Sequence, residues 1–173
     1  MSILRTNQIQ DTSGNTAMMI DSTGAIKPTA SGSVVAIRHY SNNTRAATTQ
    51  GSPNGTLWSF TDTKLYGSES NIIIHANLIG WDDASGTIGM YIEYAGTKSY
   101  SIMYTYEVNP YAKMLTGTSN TTGKSAGSQT VNIGWNAANG SNSYPFLTLN
   151  PNSTDDARLH QTVSTAIVYE VIA

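Results

Sequence analysis

The sequence predicts an all-β protein, an antiparallel β-sandwich of jelly-roll type preceded by an extended, β-rich N-terminal arm. Three observations carry that expectation. Residues 71–106 hold three apolar runs of period two, separated by short clusters of turn formers. Similar runs recur about eight to ten times through residues 34–173, at the spacing of a sandwich. No stretch shows a convincing helical period. A different sandwich topology is the alternative to the jelly roll.

The arm comes first. Ile9-Gln10-Asp11-Thr12-Ser13-Gly14 is echoed by Ile20-Asp21-Ser22-Thr23-Gly24, each an apolar residue followed by Asp, two hydroxyl residues and Gly. Asp at a turn's first position bonds the backbone two residues on, and Gly accepts positive φ at its exit. The pattern therefore predicts strands over 3–10, 16–21 and 25–28, ended by Pro28. So few short strands cannot bury an apolar face alone. Ile3, Ile9, Met18 and Ile20 consequently need partners outside the arm and are its anchoring and oligomerisation positions. Residues 29–33 read as a linker to a sandwich domain over 34–173.

Within that domain, 34–40 (VVAIRHY) is a strand and 41–55 a long polar loop. Short strands follow at 56–60 and 64–66. Ile72, Ile74, Ala76 and Leu78 then share one face, while Ile73, Ile79 and Trp81 make the other partly apolar, as in a central strand covered on both sides. Ile88, Met90, Ile92 and Tyr94 repeat the period, as do Tyr100, Ile102, Tyr104 and Tyr106. A three-residue turn, Ala95-Gly96-Thr97, would oppose Ile92 to Tyr100. A two-residue turn would oppose Glu93 to Lys98 but Ile92 to Ser99. Burying several large side chains, at roughly 1.5–3 kcal/mol each, outweighs a cross-strand ion pair at roughly 0.2–1 kcal/mol. The three-residue register is therefore expected. Further on, 116–127 and 136–143 read as polar loops, and 131–135, 146–149, 158–161 and 166–172 as strands. The three long loops are candidate host-facing surfaces.

Composition bounds the function. The chain has 173 residues, 12% of them charged, with a formal net charge of −2 and no cysteine. That length buries enough surface to fold without a metal or disulfide, and thiol chemistry is excluded. No basic excess suits nucleic-acid backbones, no apolar run suits membrane insertion, and the N-terminus lacks a signal-peptide core. A soluble protein made in a cytoplasm is expected. Ser, Thr and Asn fill about a third of the chain, beside ten Tyr and three Trp, which describes a neutral β surface rather than a disordered one.

Catalytic chemistry finds no foothold. The two Asp-hydroxyl-hydroxyl-Gly turns carry one residue too many for an aspartic-protease motif and lie too close together for paired lobes. His39, His75 and His160 lack ligand spacing, and His75 reads as a satisfied strand histidine. Gly123-Lys124-Ser125 lacks the upstream Gly of a phosphate loop. Asp82-Asp83 and Asp155-Asp156 are weak calcium candidates. No catalytic residue, metal site or cofactor is expected, and the protein reads as a non-enzyme. Tyr91, Tyr111, Trp135 and Tyr144, in or beside polar loops, are candidate platforms for sugar rings.

Residues 6–24, TNQIQDTSGNTAMMIDSTG, resemble the opening of structural proteins of marine tailed phages, particularly those of cyanobacteria. The resemblance covers about 25 residues and implies a β-rich N-terminal segment attached to the virion, with an outward β domain. It brings no catalytic residues. The reading that follows is a head decoration, knob or short fibre at the virion surface, made in the host bacterial cytoplasm. Its partners would be itself, as a homotrimer, other virion proteins of the capsid or tail, and host surface glycans. A carbohydrate-binding, receptor-recognising fibre tip is the alternative.

Overall fold

The computed structural model describes residues 8–10, 12–14, 16–20, 26–47, 54–82, 88–103, 111–137, 147–150 and 162–173. They form thirteen strands: β1 (Gln8–Gln10), β2 (Thr16–Ile20), β3 (Ile26–Pro28), β4 (Val34–Asn42), β5 (Ala46–Ala47), β6 (Asn54–Lys64), β7 (Ser70–Asp82), β8 (Ile88–Tyr94), β9 (Thr97–Met103), β10 (Tyr111–Thr121), β11 (Gly127–Ala137), β12 (Leu147–Leu149) and β13 (Ser164–Ile172). All pairings among them are antiparallel.

Strand β7 is central. One of its edges pairs with β10 along eleven residues, from Asp82↔Tyr111 to Ile72↔Thr121. Its other edge pairs first with β12, at Gly80↔Leu149, and then with β13, from Asn77↔Thr165 onward. β12 and β13 are thus two halves of one interrupted strand. β5 and β4 pair with those halves in turn and make a second interrupted strand. Leaving aside β1–β3, which form a separate sheet, and counting each broken strand once gives eight strands in chain order. One sheet runs first, eighth, third, sixth, and the other runs second, seventh, fourth, fifth (β6-β11-β8-β9). That order is a jelly roll.

The break is held by Asn150, fully buried and in the left-handed region at φ 49°. Its backbone amide donates to the Ile79 carbonyl at 2.8 Å. Its side-chain amide donates to the carbonyls of Asn42 and Thr44, and its side-chain oxygen accepts from the Ser164 hydroxyl at 2.7 Å. Asn is among the few side-chain-bearing residues that tolerate this φ, and here it satisfies both frayed strands at once.

Between the sheets, Ile72, Ile74, Ala76 and Leu78 are fully buried, as their period requires, against Met90, Ile92, Tyr94, Val131 and Ile133. Ile73 and Ile79 on the outer face are half-buried.

Three expectations change. The β8–β9 hairpin uses the two-residue loop, with Tyr94↔Thr97, Glu93↔Lys98 and Ile92↔Ser99. Ala95 and Gly96 both have positive φ, 48° and 79°, giving a type I′ turn whose twist matches the strands it joins. The apolar side of β8 finds its burial across the sandwich, on β7, and needs nothing from β9. Tyr100 therefore points outward, 59% exposed, beside Tyr91. The Glu93–Lys98 ion pair closes at 3.5 Å. Second, residues 116–121, expected in a loop, belong to β10, because the open edge of β7 supplies backbone partners that outweigh weak local signals. Third, the 41–55 loop is shorter than expected, holding the end of β4, all of β5 and the start of β6, and Lys64 ends β6 rather than starting a strand. The strand expected at 158–161, together with Tyr104, Tyr106 and Phe146, lies outside the described residues.

The I′ turn makes a test. Ala95→Asn places the residue such turns favour at a strained position, and is expected to stabilise by about 0.5–1 kcal/mol in urea unfolding. The three-residue register gives no such gain.

Candidate functional site

The arm is a three-stranded sheet, β1-β2-β3, separate from the sandwich sheets. Its cross-strand pairs are Ile9↔Met18, Met18↔Pro28 and Ile20↔Ile26. Paired residues share a face, and so do residues two apart on a strand. Ile9, Met18, Ile20, Ile26 and Pro28 therefore form one face without a polar side chain among them. Four of these stand open to solvent: Ile9 at 54%, Met18 at 41%, Ile20 at 36% and Ile26 at 63% exposure. Three of the four expected anchoring residues are thus brought together on one surface. Ile3 lies outside the described residues. Ile26 escaped the sequence reading, although its period with Pro28 could have placed it there.

The opposite face carries Gln8, Met19 and Lys27, of which Lys27 is half-buried and Met19 as open as Met18, at 41%. Met19, Lys27 and Pro28 line a crevice of about 400 Å3 with Tyr66, Glu69 and Ile172. The Lys27 ammonium lies 5.3 Å from the centre of the Tyr66 ring, within cation–π range. The connection 29–33 is clamped to the end of β13: the Gly32 amide donates to the Ile172 carbonyl and the Ile172 amide to Ser33, both at 2.9 Å. The arm is seated on one pole of the jelly roll.

Beneath that seat lies a buried charge quartet, Arg38, Asp62, Lys64 and Glu170, with two charges of each sign. The side chains of Asp62, Lys64 and Glu170 are fully buried and that of Arg38 is 18% exposed. Arg38 grips Asp62 with Nε and Nη2, at 2.5 and 3.0 Å, and reaches Glu170 at 3.3 Å. The Tyr40 and Tyr94 hydroxyls also donate to Asp62, at 2.7 and 3.0 Å. Glu170 accepts the backbone amides of Leu65 and Tyr66, at 2.9 and 2.7 Å, and the Ser70 hydroxyl at 2.8 Å. Lys64 donates to the carbonyls of Tyr66 and Gly67 and to Ser70. The β6–β7 turn that supports the arm is thereby pinned to β13.

Environment tunes these groups. Burial alone would raise the Glu170 carboxyl, but two backbone amides, the Ser70 hydroxyl and the Arg38 charge outweigh it and hold it below its ordinary value. Burial lowers Lys64, partly offset by Glu170. Burial and the bond to Asp62 push the Tyr40 phenol up to about 12, and burial with the Asp62 charge raises Tyr94 as well. Sequence reasoning missed the quartet. The available signal was a charge at a core-facing position of three strands: Arg38 between Ala36 and Tyr40, Asp62 two after Phe60, and Glu170 two after Val168.

The expected sugar platforms fare differently. Tyr91 is 3% exposed. Its ring lies over Gly134, where an added Cβ would come within 2.5 Å of the ring and 2.1 Å of the Gly55 carbonyl. Its hydroxyl meets Thr56 at 2.7 Å, and Lys98 covers the ring at 4.6 Å. Tyr100 is the exposed ring beside it. Trp135 lies in β11 and Tyr111 opens β10. Their side chains, and all of Tyr144, are outside the described residues. His75 bonds Thr118 at 2.9 Å and meets Tyr169 edge-on, as a satisfied strand histidine does. Among the described residues no group of three or more His, Asp or Glu side chains could hold a metal, and no helix is long and apolar enough to cross a membrane.

A jelly roll bearing an arm with an open apolar face is the class that fold and site define. No protein-family model matches the chain, and no curated protein matches it. Among solved structures it is similar to infectious bursal disease virus proteins. The VP2 subviral particle gives 13% identity and a TM-score of 0.41 over 82% of this chain and 39% of that one. The structure of the Gt strain gives 13% and 0.42 over 86% and 40%, and that of the Gx strain 12% and 0.39 over 81% and 37%. The chain spans about two-fifths of the length of these chains. At such identity and superposition the likeness carries no functional weight.

Two measurements test the quartet. Asp62→Ala strands the Arg38 guanidinium and two phenols, and is expected to cost about 3–5 kcal/mol in urea unfolding. For Glu170, the unfolded carboxyl titrates near 4.5 and the folded one lower. Its contribution is therefore complete above about pH 4.5 and is lost as pH falls through the folded value. Glu170→Gln removes that limb, so the unfolding midpoints of wild type and variant, separate at pH 7, should converge on acidification.

Proposed function

We propose that the protein is a non-enzymatic structural component of a virion. In this reading it is a surface appendage of a tailed phage, a head decoration, knob or short fibre, held by its N-terminal arm. The observation that carries the reading is the open apolar face of Ile9, Met18, Ile20 and Ile26. Fully burying an exposed side chain of this kind is worth roughly 1.5–3 kcal/mol, and these four, 36–63% exposed, have part of that still to gain. A partner surface is what the geometry asks for. The likeness of residues 6–24 to the opening of phage structural proteins supports the virion as its setting. A homotrimer, with three arm faces turned toward one axis, satisfies the face with copies of itself, and the capsid or tail receives the assembly.

The jelly roll then stands outward as a neutral, hydroxyl-rich body. The exposed Tyr100 ring, next to Lys98, favours a secondary role in contacting host surface glycans.

Met18→Asp places a charge in the centre of the apolar face, paired to both Ile9 and Pro28. It is expected to abolish incorporation into particles and to lower the oligomer mass in sedimentation, while the circular dichroism and melting of the sandwich stay as in wild type. Normal incorporation of this variant would refute the anchoring role.

A further inference from the structure

Four strands form the lateral edges of the sandwich, β4 and β10 in one sheet, β6 and β9 in the other. An edge strand carries a row of unpaired N–H and C=O groups that another strand can join. Proteins blunt such rows with bulges, charges, prolines or brevity. Three of the edges here are blunted. β4 has a register break opposite Glu170/Val171, and β6 has one opposite Ile133/Gly134. β9 is seven residues long and carries Lys98.

β10 has the least of this, a single lysine. It runs eleven residues in unbroken register with β7. It contains no proline and no acid, and its one lysine, Lys113, is near its start. Among the described residues no strand pairs with its second edge.

We infer that this edge is a second assembly site, where the β10 strand of another copy adds antiparallel and joins two four-stranded sheets into one of eight. The occupant follows from the strand's chemistry. In a two-fold pairing about the middle of β10 the strand meets itself, and residues 114–121 (MLTGTSNT) hold no charge. No like-charge opposition arises, which self-pairing requires. Thr116 and Thr118 are exposed on the outer face, and Thr–Thr pairs across strands are favourable. Met114, 57% exposed, is covered by the added strand. The site is distinct from the arm face and does not depend on it.

The test is sedimentation of the full chain as wild type, Thr116→Lys/Thr118→Lys, Met18→Asp, and the combination. Lysines at two exposed positions add edge charge outside the core, giving up only the side-chain bonds of Thr116 to Asn77 and Thr118 to His75, and wild-type circular dichroism with one cooperative melting transition verifies the fold. The double-lysine variant is expected to have half the wild-type mass or less, Met18→Asp to leave pairs, and the combination to give monomers. Equal mass for wild type and the double-lysine variant overturns the inference. So does collapse of Met18→Asp to monomers, which would show that the edge is empty or takes a neighbour's arm. If Met18→Asp keeps the wild-type mass while the lysines halve it, the arm reading fails and the edge site stands. Amide exchange on wild type gives a second readout: the β10 amides not bonded to β7 should gain protection with protein concentration, and protection independent of concentration counts against the site.

Discussion

A single layer of three strands, three to five residues long, cannot cover its own faces, so apolar side chains along one of them stay in water until another surface meets them. That constraint governs this molecule. Ile9, Met18, Ile20 and Ile26 share one face of the arm and stand open to solvent. The sandwich needs no such help. Its core is closed by β7, whose two edges are both occupied and whose inner residues are fully buried. In the proposed reading the sandwich is the self-sufficient body and the arm the part that depends on a partner.

What relates the two is polar. The charge quartet does little that an apolar core would not do for stability, since buried ion pairs barely recover their desolvation cost. Its value is positional. Glu170 holds the amides of Leu65 and Tyr66, Lys64 holds the carbonyls of Tyr66 and Gly67, and Tyr66 supports Lys27 of the arm. Directional bonds fix a turn in one orientation, which a greasy contact would not.

Legibility in the sequence followed the strength of local signals. β7 was plain because its apolar period is unbroken and its environment is apolar. The apolar face of the arm was plain for three of its residues. β10 was invisible because its inward side is Leu115, Gly117, Ser119 and Thr121, a set with almost no hydrophobic period, and two of its hydroxyls are buried without a partner. Only β7 makes it a strand. The hairpin register failed for a related reason: apolar residues on β9 were assigned to the core, whereas an edge strand can turn them outward. The quartet was unreadable because a charge at a core-facing position has meaning only with its partners, and Glu170 lies more than a hundred residues from Asp62.

The antiparallel strand order sorts the connections by pole. The clamp of Gly32 and Ser33 to Ile172, and the bond of the Ala173 amide to the Glu69 carbonyl, bring the chain's entry to the jelly roll and its exit from it side by side, beneath the arm. The hairpin at Ala95-Gly96 and the turn at 122–126 share that pole, while Ala47, Asp82, Met103 and Ala137 end their strands at the other. A polypeptide spliced onto the carboxyl end would consequently emerge into the crevice beside Met19, between the arm and the jelly roll, and push the arm from its seat. Cargo meant for display belongs at the distal strand tips instead.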